Sequence, residues 1–243
     1  ELKRNKTSKI DPLSPMPTNI LRGHDFDTSK VHFSVAKSKA GGRGRHVLVN
    51  YGEPAFQPVL QTPKMFLPFG VDRYQPDDGS PPKYSLTLSF KGFEENEKMK
   101  HFYETLKQLD QQLLEHAVEH QSDWWPGVSG KTIDVLDMVY TGFVRKNKNT
   151  AYADFAKVKI DHRDGRCLAT FFDHNQNIVD LSSVQPKSTV LALVELGPVW
   201  LTGSTATASL KLVQAQIFPP AGITGFAIVQ EEDDLVFPID DEY

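Results

Sequence analysis

The chain has 243 residues, 39% hydrophobic and 24% charged, with a formal net charge of −4. A chain of that size buries a core without help from disulfides or metal, and that balance excludes disorder throughout. No run reaches 18 apolar residues and Cys167 stands alone, which argues against a membrane-spanning helix, an internal disulfide framework and a cysteine-based zinc site.

Residues 1–30 are polar, interrupted by Pro12, Pro15 and Pro17, and predict a flexible N-terminal arm. Glu1 to Lys6 carry charge with no apolar stretch behind them, so no signal peptide is expected. Short β-like runs follow at Val31–Val35 and His46–Tyr51, joined by a glycine-rich loop through Gly41 and Gly42. No acid occurs between Asp27 and Glu53, while Lys30, Lys37, Lys39, Arg43 and Arg45 all fall in that span. Pro76, Gly79, Pro81 and Pro82 mark a turn region over 74–83. Tyr84 to Phe90 then alternates as a strand with one buried face.

A single long helix is predicted over about 94–121. Met99, Phe102, Leu106, Leu109, Leu113 and Ala117 recur at three and four residues, and early acids suit a helix N-terminus. Trp124-Trp125-Pro126-Gly127 ends it. Further strands are expected near 138–144, 155–160, 167–172, 189–196 and 207–218. Many short strands with one long helix predict a mainly β fold, a barrel or a sandwich with a helical insertion.

Two motifs invite chemistry. Trp125 to Thr132 ends in Gly130-Lys131-Thr132 like a phosphate-binding loop, but Trp125 stands where the first glycine is needed, so a turn is expected. His116-Ala117-Val118-Glu119-His120 matches an inverted zinc-peptidase motif. Its surroundings are rich in His and Glu and no third ligand is readable, so a solvated helix face is expected and the peptidase is kept as an alternative. No metal, cofactor or catalytic residue is assigned.

Cations and aromatics interleave more consistently, at Lys64 to Tyr74, Lys83 to Phe93, Phe143 to Lys148 and Tyr152 to Lys159. Single-strand binding needs cations along phosphates and flat side chains against bases. Residues 231–243 hold seven acids and no Lys or Arg. Of the chain's 31 acids this leaves 24 against 27 basic residues, so the body is +3. Such a tail either solubilises or mimics nucleic acid, competing for the basic body and for basic partners.

An aromatic-ended acidic tail behind a basic β-rich body resembles the phage replication single-stranded DNA-binding proteins. The chain is more closely similar to their relatives in nucleocytoplasmic large DNA viruses. Gln61 to Gly70, Tyr84 to Gly92, Gly197 to Trp200 and Ala208 to Gln214 carry the likeness. Leu210 stands where an aromatic is expected, which removes a stacking surface there. The resemblance implies an oligonucleotide-binding (OB) barrel with a helical insertion, no catalysis, and a role in viral replication, recombination and repair.

The domains expected are an arm at 1–30, a binding domain at 31–230 with its helical insertion, and a tail at 231–243. Lys64, Arg73, Lys91, Arg145, Lys146 and Lys211 are the expected phosphate contacts. Phe66, Phe69, Tyr84 and Trp200 are expected to stack or to shape the groove, with core packing open for each. Glu231, Glu232, Asp233, Asp234, Asp240, Asp241, Glu242 and Tyr243 are expected to dock a polymerase, helicase or primase. A homodimer stays open, and no membrane partner is expected. The expected setting is intracellular and reducing, in a virus factory of the host cytoplasm or in the nucleus. The other class is a structural or scaffold protein of a virus particle or factory.

Overall fold

The computed structural model describes residues 19–39 and 44–220. Five strands form its centre: β1 (Met65–Phe66), β2 (Lys83–Ser89), β3 (Phe155–Ile160), β4 (Thr189–Leu196) and β5 (Leu210–Phe218). β1 pairs with β2, β2 with β3, β3 in parallel with β5, β5 with β4, and β4 back with β1. The ring is therefore closed, in the order 1-2-3-5-4-1. A five-stranded barrel with this course is an OB-type barrel.

Period-two alternation fills it. Leu86, Leu88, Ala156, Val158, Ile160, Val190, Ala192, Val194 and Leu196 all point inward and are essentially inaccessible. On β5 the inward set changes from Leu210 and Leu212 to Ala215 and Ile217. The register with β4 slips there, leaving Val213 as an extra residue. Such a bulge bends a strand and lets it turn the corner of a small barrel. Leu210, where an aromatic was expected, is buried on this inner side.

Between β2 and β3 the chain makes α1 (Glu97–Glu119), then α2 (Gln121–Trp124) and α3 (Ile133–Asp137). The predicted stripe, Met99 through Ala117, is the buried face of α1. The helix is shorter than 94–121 at both ends. Gly92 at φ 77° starts a separate 3-10 turn over Phe93–Glu95, and Asn96 caps α1 by accepting from the Met99 N–H at 3.1 Å. At the other end His120 leaves helical geometry. Phe102 faces Phe90 of the barrel at 6.3 Å, and Tyr103 lies edge-on to Phe90 at 5.0 Å.

A second sheet runs Tyr140–Thr141, Thr205–Thr207, Val199–Thr202, Arg45–Val47, Lys37–Ser38. The strand expected over 138–144 is thus only two residues long. Residues 19–30, expected as part of an arm, join the fold instead. Ile20–Arg22 pairs in parallel with Val59–Gln61, and the buried Phe26 ring stacks on Tyr51 at 4.7 Å. The apolar residues Ile20, Leu21 and Phe26, outweighed in composition by the polar stretch before them, supply the reason. The acidic tail lies outside the described residues, as do residues 1–18. Among the described residues no helix is long and apolar enough to cross a membrane.

Candidate nucleic-acid interface

OB-type barrels receive oligonucleotides on the face of strands two and three and on the loops joining strands one to two and four to five. Alternation places the outward residues of β2 and β3 in register: Ser85 opposite Lys159, Thr87 opposite Lys157, Ser89 opposite Phe155. Lys159 in turn neighbours Lys211 on β5. Short hydroxyl side chains thus floor a strip, and long basic and aromatic ones stand beside it.

The cations of the strip divide into two kinds. Lys157 lies 3.8 Å from Asp72, and Lys211 lies 3.4 Å from Asp161 and 3.9 Å from Glu195. Lys83, Arg145 and Lys159 form no ion pair with any described carboxylate. Desolvation by its neighbours pushes Lys159, itself an exposed residue, below the usual lysine range, and repulsion from Arg145 and Lys83 adds to it against the pull of Asp161. Desolvation likewise lowers Arg145. Its backbone bridges to Phe155 at the edge of β3, and its buried Nε has no acceptor. Three cations near enough to repel, one with an idle donor, make a site that favours an anion.

Aromatic groups border the strip. Phe66 pairs across to Ser89, and the Lys91 ammonium lies 5.9 Å from its ring centroid. Tyr84 instead falls on the same side of β2 as Leu86 and Leu88 and packs against the core, its ring 4.3 Å from His162 and Arg73 its cross-strand neighbour, so this pair stands off the strip. Phe69 and Tyr74, in the connection from β1 to β2, are each 59% exposed. Lys146 is exposed next to Arg145.

Two further predicted residues lie elsewhere. The Lys64 ammonium sits 3.9 Å over the Phe218 ring, in a depression of about 410 Å³ that also has Arg22 and Lys98 in its wall and, among the described residues, no carboxylate. Trp200 belongs to the second sheet, in the β4–β5 connection, with its ring 5.6 Å from His46 and 5.9 Å from the Lys39 ammonium. The predicted set therefore falls on the barrel strip, the Tyr84 and Arg73 pair, the acid-free depression and the Trp200 platform.

Lys159, Lys83, His162 and Lys39 were not among the predicted site residues. The alternation Phe155-Ala156-Lys157-Val158-Lys159-Ile160 carried a legible signal for Lys159, since its apolar partners must face inward. Nothing local announces His162, and Lys39, though part of the acid-free run of cations, meets the Trp200 ring only through tertiary contact.

The two motifs resolve differently. Trp125 is buried, and the Lys131 N–H donates to Gln121 Oε1 at 2.8 Å, so the glycine-lysine segment is a tied-down turn. His116, Glu119 and His120 bring their ligand atoms within 4.8 Å of one another, the one such group among the described residues. A hydrolytic zinc site needs three protein ligands and a separate carboxylate base. Glu119 is the group's single carboxylate and cannot fill both places.

A model of a family of unknown function (DUF5871) matches residues 94–227. No curated protein matches the sequence. Among solved structures, gp2.5, a single-stranded DNA-binding protein encoded by bacteriophage T7, is 11% identical with a TM-score of 0.46. That match covers 71% of this chain and 98% of gp2.5. The single-stranded DNA-binding protein of bacteriophage Enc34, in complex with single-stranded DNA, is 10% identical with a TM-score of 0.42. It covers 79% of this chain and 99% of that one. A likeness at that level says nothing about what this chain binds.

Proposed function

The chain belongs to that family of unknown function, and from its own geometry we propose that it binds single-stranded DNA with little regard to sequence. The observation that carries this is the group of Lys83 on β2, Lys159 on β3 and Arg145 bridged to the start of β3, none in an ion pair with a described carboxylate and the group bordered by aromatic rings. Cations spaced along strands meet successive phosphates, and neighbouring rings meet unpaired bases. Arg73, Lys91, Lys146 and Lys211 extend the phosphate path, and Lys64 offers a second one through the acid-free depression. Phe69 is the best placed of the predicted rings to stack, because most of its surface is already open.

In this reading the protein covers and organises exposed single strands during viral DNA replication, recombination and repair. Its tail, Glu231 to Tyr243, competes for the basic strip until DNA displaces it, then engages a basic patch on a polymerase, helicase or primase. Tyr243→Ala then weakens capture of such a partner and leaves DNA affinity nearly unchanged, since it removes no charge. Self-association into a homodimer is compatible with this scheme.

A mobility-shift comparison of single-stranded and duplex oligonucleotides at several salt concentrations tests the proposal. Preference for single strands is expected, with the slope of log affinity against log salt steepening by about 0.7 per phosphate contacted. Phe69→Ala is expected to weaken binding by about 1–3 kcal/mol per stacked base while the fold survives. Equal or tighter binding to duplex overturns the reading, and binding to neither form would favour the scaffold alternative.

A further inference from the structure

The last turn of α1 carries a group that the barrel face does not use. His116 and His120 stand four residues apart on one side of the helix, with ring centroids 4.2 Å apart, and Glu119 completes the set. His116 is half-buried between Phe33, at 5.1 Å, and Trp124, at 5.9 Å, while Glu119 and His120 are exposed. One ligand is thus oriented by packing and the other two are free to swing toward it.

We propose that His116, Glu119 and His120 bind one divalent transition-metal ion of the zinc class. Two imidazoles and a carboxylate are a common donor set for such ions, with bonds of about 2.0–2.2 Å. Tetrahedral geometry at those lengths sets donors about 3.3–3.6 Å apart. The present spread, within 4.8 Å, closes by rotation of the two exposed side chains, without backbone movement. The position adds to the affinity, because the negative end of the α1 dipole favours a cation. Asp123 is not a further ligand: Arg45 Nη2 at 3.2 Å and the Ala36 N–H at 2.8 Å already occupy its carboxylate. Water fills the remaining positions. With all three ligands on one turn, the ion staples the end of α1 where His120 leaves helical geometry. This is a structural role, independent of the nucleic-acid reading.

The test uses the tag-free full chain titrated with Co2+, whose visible d–d absorption reports coordination, followed by displacement with Zn2+. One equivalent is expected to bind. His120→Gln and Glu119→Gln, both at exposed positions, should each weaken binding by about tenfold or more. His101→Gln, exposed on the same helix, should leave it unchanged. Zn2+ should raise the melting temperature of the wild type and not of His120→Gln. Absence of a Co2+ spectrum, or binding that His120→Gln leaves intact, overturns the proposal. Single-stranded DNA affinity, measured alongside, stands or falls separately.

Discussion

The basic side chains of the strip are not equivalent, and the difference lies in their neighbours. Lys211 has Asp161 at 3.4 Å and Glu195 at 3.9 Å, so a phosphate must compete with two carboxylates for it. Arg145 is in no ion pair with a described carboxylate, feels only the longer-range pull of the buried Asp110, and has an idle Nε donor. Arg145→Ala is therefore expected to weaken single-strand binding more than Lys211→Ala and to flatten the salt slope by about 0.7. Equal losses would mean that the ion pairs of Lys211 open at no cost. Asp110 yields a prediction of another kind. It is buried, accepting from Tyr140 Oη at 2.7 Å, the Phe143 N–H at 2.7 Å and the Val144 N–H at 3.1 Å. Burial outweighs these donors and raises its pKa from 3.8 to about 6. The folded state then binds the proton more tightly than the unfolded state. Its contribution is full below about pH 4 and is lost as pH rises through about 6, a change of about 3 kcal/mol. Denaturant unfolding should show the wild type losing stability relative to Asp110→Asn over that window. Asp27, Asp78 and Asp173, whose hydrogen bonds lower their pKa values, act oppositely but equally in both proteins and cancel in the difference.

At the scale of elements, α1 is held by its cap, its apolar face and two polar ties to the segment before β3, the Tyr103 hydroxyl donating to Asp154 at 2.9 Å and a clamp at Asp110. Asn96→Ala removes the acceptor for the Met99 N–H and should cost about 1 kcal/mol, seen as a lower denaturation midpoint with an unchanged slope. The clamp joins Asp110 to the segment before β3, and it requires Gly142. A Cβ there would stand 2.5 Å from Asp110 Oδ2, and backbone and helix must separate to admit it. Gly142→Ala is thus expected to destabilise more than Asn96→Ala. A smaller effect would show that the Asp110 side chain can rotate away without losing its three donors. The helix and the barrel strands also differ in how their partners are chosen. The face of α1 follows from spacing alone, whereas β3 lies between β2 and a parallel β5 more than fifty residues later in the chain.

At the scale of the whole molecule, charge is divided between body and tail. The seven acids of 231–243 face a body of net +3. In the proposed function, a tail tethered to the body competes at high effective concentration for the same cations as DNA. Deleting 231–243 should tighten single-strand binding, most at low salt where screening is weakest. Identical affinities of the full and truncated chains at low salt would leave the tail a solubilising segment.

Period and composition alone determined much of this protein. The stripe from Met99 to Ala117 specified one long helix, the alternation at Tyr84 to Phe90 specified a strand, though Ser85, Thr87 and Ser89 on the face expected to be open are buried as well, and the breaker residues over 74–83 specified a turn. These are local properties, set by side-chain direction and backbone sterics within a few residues. Only the tertiary structure decided the rest. Closure of the ring depends on β5 lying between β3 and β4, a pairing of residues far apart that no local pattern encodes. The same closure sorted the interleaved cations and aromatics, turning Leu210 inward, setting Lys159 beside Arg145, pairing Lys211 with acids and carrying Trp200 to a separate sheet. The physical reason is that charge and stacking act through space. A sequence states which side chains can take part, and the fold sets the distances at which they do.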